Sequence, residues 1–248
     1  MELQIRGKMA LIGGGSSGLG FETARALVKE GVDVTLIART PSKLETAHQA
    51  LSEISSSVKI TTVVGDLSSP RGAQVALTKA LESIAGFDIL VLNSGGPKPG
   101  DVADLSLDDE QSALQTNFLS MVALIKGSLD YLETSCWGRV VAITSFYVRE
   151  PAENMVLSNT SRVALTAYMK SASHTYARSG ITFNTVQPGL HLTDRLRNLR
   201  KGRPVREDEH IGSPEDFGQV VAFLCSSQAG FINGASIVVD GGASRSLQ

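Results

Sequence analysis

One stretch near the start of the chain, Gly13-Gly14-Gly15-Ser16-Ser17-Gly18-Leu19-Gly20, limits the possible folds more than any other. It follows an apolar run, Lys8 to Ile12, that reads as a strand, and it precedes Phe21 to Glu30, which has helical spacing. Glycines at such a junction let the chain turn sharply and bring backbone N–H groups close to a bound anion. The positive end of the following helix then favours a pyrophosphate. A merely flexible glycine-rich turn would not need this placement between a first strand and a helix. A dinucleotide site is therefore expected at Gly14, Ser16, Ser17, Gly18, Leu19 and Gly20.

A nucleotide-binding start of this kind requires the rest of the chain to continue in alternating strands and helices. Short apolar or β-branched runs bounded by Gly, Asp, Asn or Ser recur at Val32 to Ile37, Val58 to Val63, Asp88 to Leu92, Gly138 to Thr144, Ile181 to Val186 and Ser236 to Val239. Segments with helical spacing lie between them. In the second, Leu44, Ala47, Leu51 and Ile54 follow Thr40 as cap and Pro41 at the first helical position. The pattern implies a single doubly wound, Rossmann-like α/β domain over residues 1–248, with a parallel seven-stranded sheet flanked by helices. A chain of 248 residues with 42% apolar content can bury one core of that size.

Composition narrows the partners. With 23 basic and 25 acidic residues there is no global field to draw the chain onto nucleic acid or anionic lipid. No apolar run approaches the ~18 residues of a membrane span, and no signal-peptide core precedes the first strand. Cys136 and Cys225 have neither metal-ligand nor disulfide-framework spacing, which implies a reducing compartment, read as the cytoplasm, and no metal site.

The residues after the second strand select the dinucleotide. An NAD site of this type expects Asp or Glu there to hold the adenosine ribose hydroxyls. This chain has Ala38 and Arg39. A carboxylate would repel a 2′-phosphate, whereas the planar fork of Arg39 can pair with one, so NADP(H) is the expected cofactor. Asp66 and Leu67, after the third strand, would lie beside the adenine.

The spacing of Gly14, Gly18 and Gly20 resembles the TGxxxGxG motif of the short-chain dehydrogenases/reductases, and further motifs extend the resemblance over essentially the whole chain. Asn93-Ser94-Gly95 is similar to the end of the family's NNAG, Asn117 matches the Asn of the long following helix, and Ser145 matches the Ser after the fifth strand. Pro188-Gly189 with Thr193 resembles the PG motif that lies against the nicotinamide, and Ile232-Asn233-Gly234 through Asp240-Gly241-Gly242 resembles the C-terminal strand signature. Gly13 stands for the first motif's Thr and Leu92 for the first Asn of NNAG. The resemblance implies carbonyl and alcohol interconversion with NADP(H), nearest to 3-oxoacyl-carrier-protein reductases. It implies a small-molecule substrate, carrier- or CoA-linked in that case, and a homotetramer. Two long helices, about Asp108 to Glu133 and Ser158 to Ser179, would pair across its two-fold axes. Met121, Ala123, Leu124 and Ile125 with Val163, Ala164, Leu165 and Ala167 give these helices wide apolar arcs.

The resemblance breaks where the family carries its proton donor. The Tyr expected thirteen residues after Ser145, and the Lys four residues later, are here Ser158 and Arg162, although Ser158 to Leu165 runs parallel to the family's YxASKxAL. Arg162 can still donate to ribose hydroxyls, but guanidinium does not give up a proton in proteins. An aliphatic hydroxyl is a far weaker acid than a phenol of pKa about 10. Tyr147, two residues after Ser145, is the first candidate for the missing acid, an ordered water another, and His191, just after Pro188-Gly189, the next. On this reading Ser145, Ser158, Arg162, Asn117 and Tyr147 form the reactive group. Arg162 shares the cofactor side with Asn93, Gly95, Pro188, Gly189 and Thr193. The segment from about 190 to 212 breaks the strand-helix rhythm and reads as a charged substrate lid. Its Arg195, Arg197, Arg200, Lys201 and Arg203, with nearby Arg149, could bind a carboxylate, a phosphate or an acidic carrier, or be a solvated face beside Asp194, Glu207, Asp208 and Glu209. A nucleotide-binding sensor or interaction protein that has lost turnover is the alternative function.

Overall fold

The computed structural model describes residues 2–200 and 210–247. Seven parallel strands form one sheet in the order β3-β2-β1-β4-β5-β6-β7. They are β1 Met9–Gly13, β2 Asp33–Ala38, β3 Ile60–Val64, β4 Ile89–Leu92, β5 Arg139–Ile143, β6 Thr182–Pro188 and β7 Ser236–Val239. The helices are α1 Gly18–Lys29, α2 Pro41–Ser52, α3 Pro70–Leu81, α4 Leu107–Leu114, α5 Ser120–Thr134, α6 Val156–Thr175, α7 Asp194–Leu199 and α8 Pro214–Leu224. The expected strands are all present, each shifted at its ends by two residues or fewer.

Alternation along each strand sends successive side chains to opposite faces, and both faces are covered. Ala10 and Ile12 pack with Ala24 and Leu27 of α1, Leu44 of α2 and Phe217 of α8. Leu11 and Leu90 join the opposite cluster with Leu77 of α3, Leu124 of α5 and Leu165 of α6. The chain builds β2 and β3 on one side of β1 and then returns to place β4 on the other. Between the carboxyl ends of β1 and β4 the two connections leave in opposite directions, so a crevice opens there. This is the point where the sheet order positions the site.

Two local features depart from the sequence reading. Thr40 does stand at the N-cap of α2 with Pro41 in the first turn, but its side chain makes no capping bond. The helix expected from about Asp108 to Glu133 is interrupted by a π-helical turn, Gln115–Leu119, between α4 and α5. Ser120 Oγ donates to the Gln115 carbonyl at 2.7 Å, five residues back, which helps hold the wide turn.

Of the apolar arcs, Met121, Leu124, Ile125 and Leu165 are spent in the chain's own core. Val163, at 42% exposure, and Leu119, also at 42%, remain on the outside. Among the described residues no helix is long and apolar enough to cross a membrane, and no three His, Cys, Asp or Glu side chains are grouped to hold a metal ion.

Candidate active site

A cavity of about 970 Å³ occupies the crevice, running from the end of β2 across the Gly-rich turn to α6 and α7. It brings together every residue singled out above for chemistry or for the dinucleotide except Gly20. Gly20 lies behind the turn instead. A Cβ there would stand 2.4 Å from the Gly14 carbonyl oxygen and 2.7 Å from Asn93 Nδ2, so glycine is what lets α1 close onto the turn. Gly14 and Gly18 have φ of +60° and +59°, the left-handed region that disfavours a side chain. Ser17 is the N-cap of α1 yet gives no side-chain cap bond to the first N–H groups of the helix, and Ser17, Gly18 and Leu19 line the cavity.

At the far end of this turn, Arg39 and Lys43 line the cavity together, Lys43 from the first turn of α2. Lys43 was not singled out in the sequence, although a cation four residues after Arg39 in a helix start was a readable signal. Asp66 lines the same end, but its carboxylate is turned onto its own loop. It accepts from the Ser68 N–H at 3.0 Å and from Ser68 Oγ at 2.8 Å.

The middle of the cavity is held by two asparagines. Asn93 Nδ2 donates to the Gly14 carbonyl at 3.3 Å and so ties the end of β4 to the Gly-rich turn. Asn117, buried in the π-turn, donates from Nδ2 to Ser94 Oγ at 2.7 Å and to the Gly95 carbonyl at 3.0 Å. Its Oδ1 is buried with no hydrogen-bond partner among the described residues, an acceptor that a donor in the cavity can satisfy.

The other end carries the reactive group. Ser145 caps the short turn Phe146–Val148, its Oγ accepting from the Tyr147 N–H at 3.2 Å. Ser158, 1% exposed in the first turns of α6, accepts at Oγ from Arg162 Nη1 at 2.5 Å, one helical turn later. Each serine thus receives a hydrogen bond from the chain and keeps its own O–H to give. Arg162 is partly buried, and that burial, with the like charge of Arg195 nearby, pushes its pKa down to about 10. Tyr147 is half-buried, its ring tilted at 36° against Phe146 with the centroids 4.3 Å apart. Burial raises the pKa of its phenol and so keeps it protonated.

His191, the next candidate acid, also lines the cavity, with its ring held against Phe217 of α8. Its Nδ1 lies 3.2 Å from the Gly189 carbonyl and its ring stands edge-on to Phe217 at 5.1 Å. Burial lowers its pKa, and the ring lies over Gly212. There the backbone pairs Leu192 N–H with the Gly212 carbonyl and Gly212 N–H with the Leu190 carbonyl, which closes the stem of the 190–212 segment. Thr193 caps α7 and sets its methyl against Gly18.

The basic cluster also separates into parts. Arg149 donates to Gln187 Oε1 and to the Ser236 carbonyl, both at 2.7 Å, and so ties β6 to β7. Arg197 pairs with Asp194 at 2.9 Å. Arg195 crosses the cleft to the Gly96 and Pro97 carbonyls at 2.9 and 3.0 Å. Lys201, Arg203, Glu207, Asp208 and Glu209 lie outside the described residues.

With this geometry in view, a model of the family described as short chain dehydrogenase matches residues 8–204. The chain belongs to that family. Among its relatives, the 3-oxoacyl-(acyl-carrier-protein) reductase FabG of Aquifex aeolicus (strain VF5) is 30% identical over 249 residues, covering 98% of this chain and 99% of the relative. Dehydrogenase/reductase SDR family member 4 of Mus musculus is 29% identical over 249 residues, covering 96% of this chain and 88% of the relative. The structure of L-sorbose reductase from Gluconobacter frateurii, complexed with NADPH and L-sorbose, superposes with a TM-score of 0.92 at 26% identity over 100% of both chains. Membership makes the chain a family oxidoreductase.

Proposed function

We propose that the chain is an NADP(H)-dependent reductase that interconverts a carbonyl and an alcohol on a small molecule, with an active site in which serine and arginine stand where the family has tyrosine and lysine. The observation that carries this reading is the pair of serines, Ser145 and Ser158, each receiving a hydrogen bond and each left with an O–H to donate into one cavity. The residues present fit the dinucleotide. Gly14 and Gly20 keep the turn clear of Cβ atoms, the first α1 N–H groups are left uncapped by the Ser17 side chain for the pyrophosphate, and Arg39 with Lys43 offers two cations to a 2′-phosphate. When bound, NADPH supplies the hydride that the carbonyl carbon receives.

Every other step belongs to the chain. Ser145 and Ser158 donate to the carbonyl oxygen and so polarise it, gaining strength as the oxygen becomes an alkoxide. Arg162, donating to Ser158 Oγ, makes that hydroxyl a better donor and adds positive charge beside the developing anion. Tyr147, protonated and lining the same cavity, delivers the proton. Asn117 positions the 94–95 loop through its two bonds. The Aquifex relative brings 3-oxoacyl thioesters into the set of substrates to try. Residues 1–248 act as one NADP(H)-binding domain, with the lid entering the cavity through 190–199, while its residues 201–209 lie outside the described ones. A homotetramer and a cytoplasmic location complete the proposal, supported by exposed Val163 and Leu119 on the outer helices and by two free thiols.

The test is purified protein with NADPH and a panel of ketones, oxo acids and acyl thioesters, followed at the nicotinamide absorbance. Slow turnover is expected, and Ser145→Ala should lower it by the roughly 2 to 4 kcal/mol that one such donor contributes at the transition state. Restoring the family pair as Ser158→Tyr with Arg162→Lys should raise it. Tight NADPH binding with no turnover in the parent, in Ser145→Ala and in the restored double would establish the nucleotide-binding sensor instead.

A further inference from the structure

The cavity has charge left over at the end away from Arg39. Three carboxylates line the cavity as a whole, and each already has a partner. Asp66 accepts from Ser68, Asp109 is bound by Lys98 at 2.8 Å and Asp194 by Arg197 at 2.9 Å. Lys98 and Ser106 hold the Asp109 carboxyl down at about 2, so this pair stays formed at neutral pH. Arg162 and Arg195 line the same end and have no carboxylate partner among the described residues. Arg162 uses one N–H on Ser158 Oγ, and Arg195 uses two on backbone carbonyls. A guanidinium has five, so at least two on each remain for a ligand.

Placing two like charges at one end of a cleft is unfavourable without an anion between them. Burial and mutual repulsion both act against the charged form of Arg162. Arg195 is also built in rather than swung out. Its guanidinium carbon sits where a Cβ on Gly96 would be, at 2.2 Å from that position, so only glycine lets it lie across the cleft.

We propose that the substrate carries a carboxylate close to its reacting carbonyl and that Arg195 and Arg162 hold this carboxylate. The inference rests on the reading of the chain as a carbonyl reductase and names its substrate class. The distance limit comes from Arg162 itself. A carbonyl oxygen bonded to Ser158 Oγ lies about 2.7 Å from it, and a carboxylate on the free edge of the same guanidinium lies about 2.8 Å from its nitrogens. Both groups must then belong to one short segment, which fits a 2-oxo or 3-oxo acid. A thioester at that place presents a neutral sulfur and leaves both cations unanswered.

The experiment uses the full chain loaded with NADP⁺ for calorimetry and with NADPH for turnover. Its probes are the 2-oxo and 3-oxo acids of four to eight carbons, the methyl ester of each, and the matching N-acetylcysteamine thioesters. The free acid should bind at least about tenfold more tightly than its ester, the discrimination expected of charge-assisted, bidentate recognition. Arg195→Gln should bring the acid-to-ester ratio close to one while NADP⁺ affinity stays within about threefold, and Arg195→Lys should recover part of the ratio. Equal binding of acid and ester in the parent, or absence of acid binding at millimolar concentration, overturns the assignment whatever the turnover. A ratio that survives Arg195→Gln, or loss of NADP⁺ affinity in step with the acid, also overturns it, the latter by giving Arg195 to the cofactor. Turnover of ketones or thioesters with no preference for acids would leave the reductase reading intact and remove only this inference. Acid binding without turnover of any probe would remove the reductase reading and, with it, this inference about its substrate.

Discussion

Replacing Gly20 by alanine sets two effects of opposite sign against each other. Gly20 lies inside α1, where alanine should stabilise a helix by about 1 kcal/mol relative to glycine. The new Cβ would, however, stand 2.4 Å from the Gly14 carbonyl oxygen, about 1 Å inside an ordinary C···O approach of about 3.3 Å. Backbone has to move, because neither atom is the end of a flexible side chain, and overpacking of this sort costs about 1 to 3 kcal/mol. The clash wins, for a net loss of about 0 to 2 kcal/mol in stability. The larger consequence falls on binding. Gly14 begins the turn that faces the pyrophosphate, and displacing it weakens one or two charge-assisted hydrogen bonds worth about 1.5 to 3 kcal/mol each.

NADPH affinity measured by calorimetry should therefore fall by about ten- to a hundredfold in Gly20→Ala. Gly127→Ala is the control. It too lies inside a helix, α5, and its Cβ would meet only Leu77 Cδ2, at 2.6 Å. A methyl at the end of a rotatable side chain yields for about 0.5 to 1.5 kcal/mol, which roughly cancels the helix gain and leaves the cofactor untouched. The reasoning is refuted if Gly20→Ala binds NADPH within twofold of the parent, or if Gly127→Ala loses affinity as well.

Arg39→Ala should reduce the preference for NADPH over NADH by about tenfold in paired titrations, and adding Lys43→Ala should remove most of what remains; a preference unaffected by both would assign the 2′-phosphate elsewhere. Burial lowers the pKa of His191 below the ordinary value near 6.5. Its contribution to stability is then complete above about pH 6.5 and is lost as the pH falls through the folded pKa. Urea unfolding between pH 5 and 7 should show a shallower slope of stability against pH in His191→Asn than in the parent, and parallel slopes would contradict the assignment. Tyr147→Phe should slow carbonyl reduction by about 10²- to 10⁴-fold if its phenol delivers the proton, with unchanged NADPH affinity; turnover equal to the parent's would give that role to another donor. Light scattering at micromolar concentration should find an oligomer larger than a dimer.

How much could be read without the structure follows from the range of the interactions involved. The strands were legible because a parallel strand buried on both faces must be continuously apolar and must stop at turn residues, and both signals are local. The Gly-rich turn was legible for the same reason, since a strand, a sharp bend and a helix start are all written within about a dozen residues. Ser158 and Arg162, which on the proposed reading stand where the family has tyrosine and lysine, could be located by counting from Ser145. Local signals overreached at Thr40, a good capping residue in a capping position whose hydroxyl makes no cap bond. They also missed the π-turn that buries Asn117, because α-helix and π-turn differ in one hydrogen-bond register, chosen here by packing and by Ser120 Oγ. The partners of charges were beyond reach altogether. Arg195 bonds to carbonyls 99 and 98 residues earlier, Arg149 to groups 38 and 87 residues later, and Lys98 is neutralised by Asp109 across a loop. Which cations remain without a carboxylate depends on which connections the sheet order gathers at the carboxyl ends of β1 and β4. The local pattern of residues therefore determined a dinucleotide-binding α/β chain, and only the tertiary arrangement decided that Arg162 and Arg195 face one cleft together.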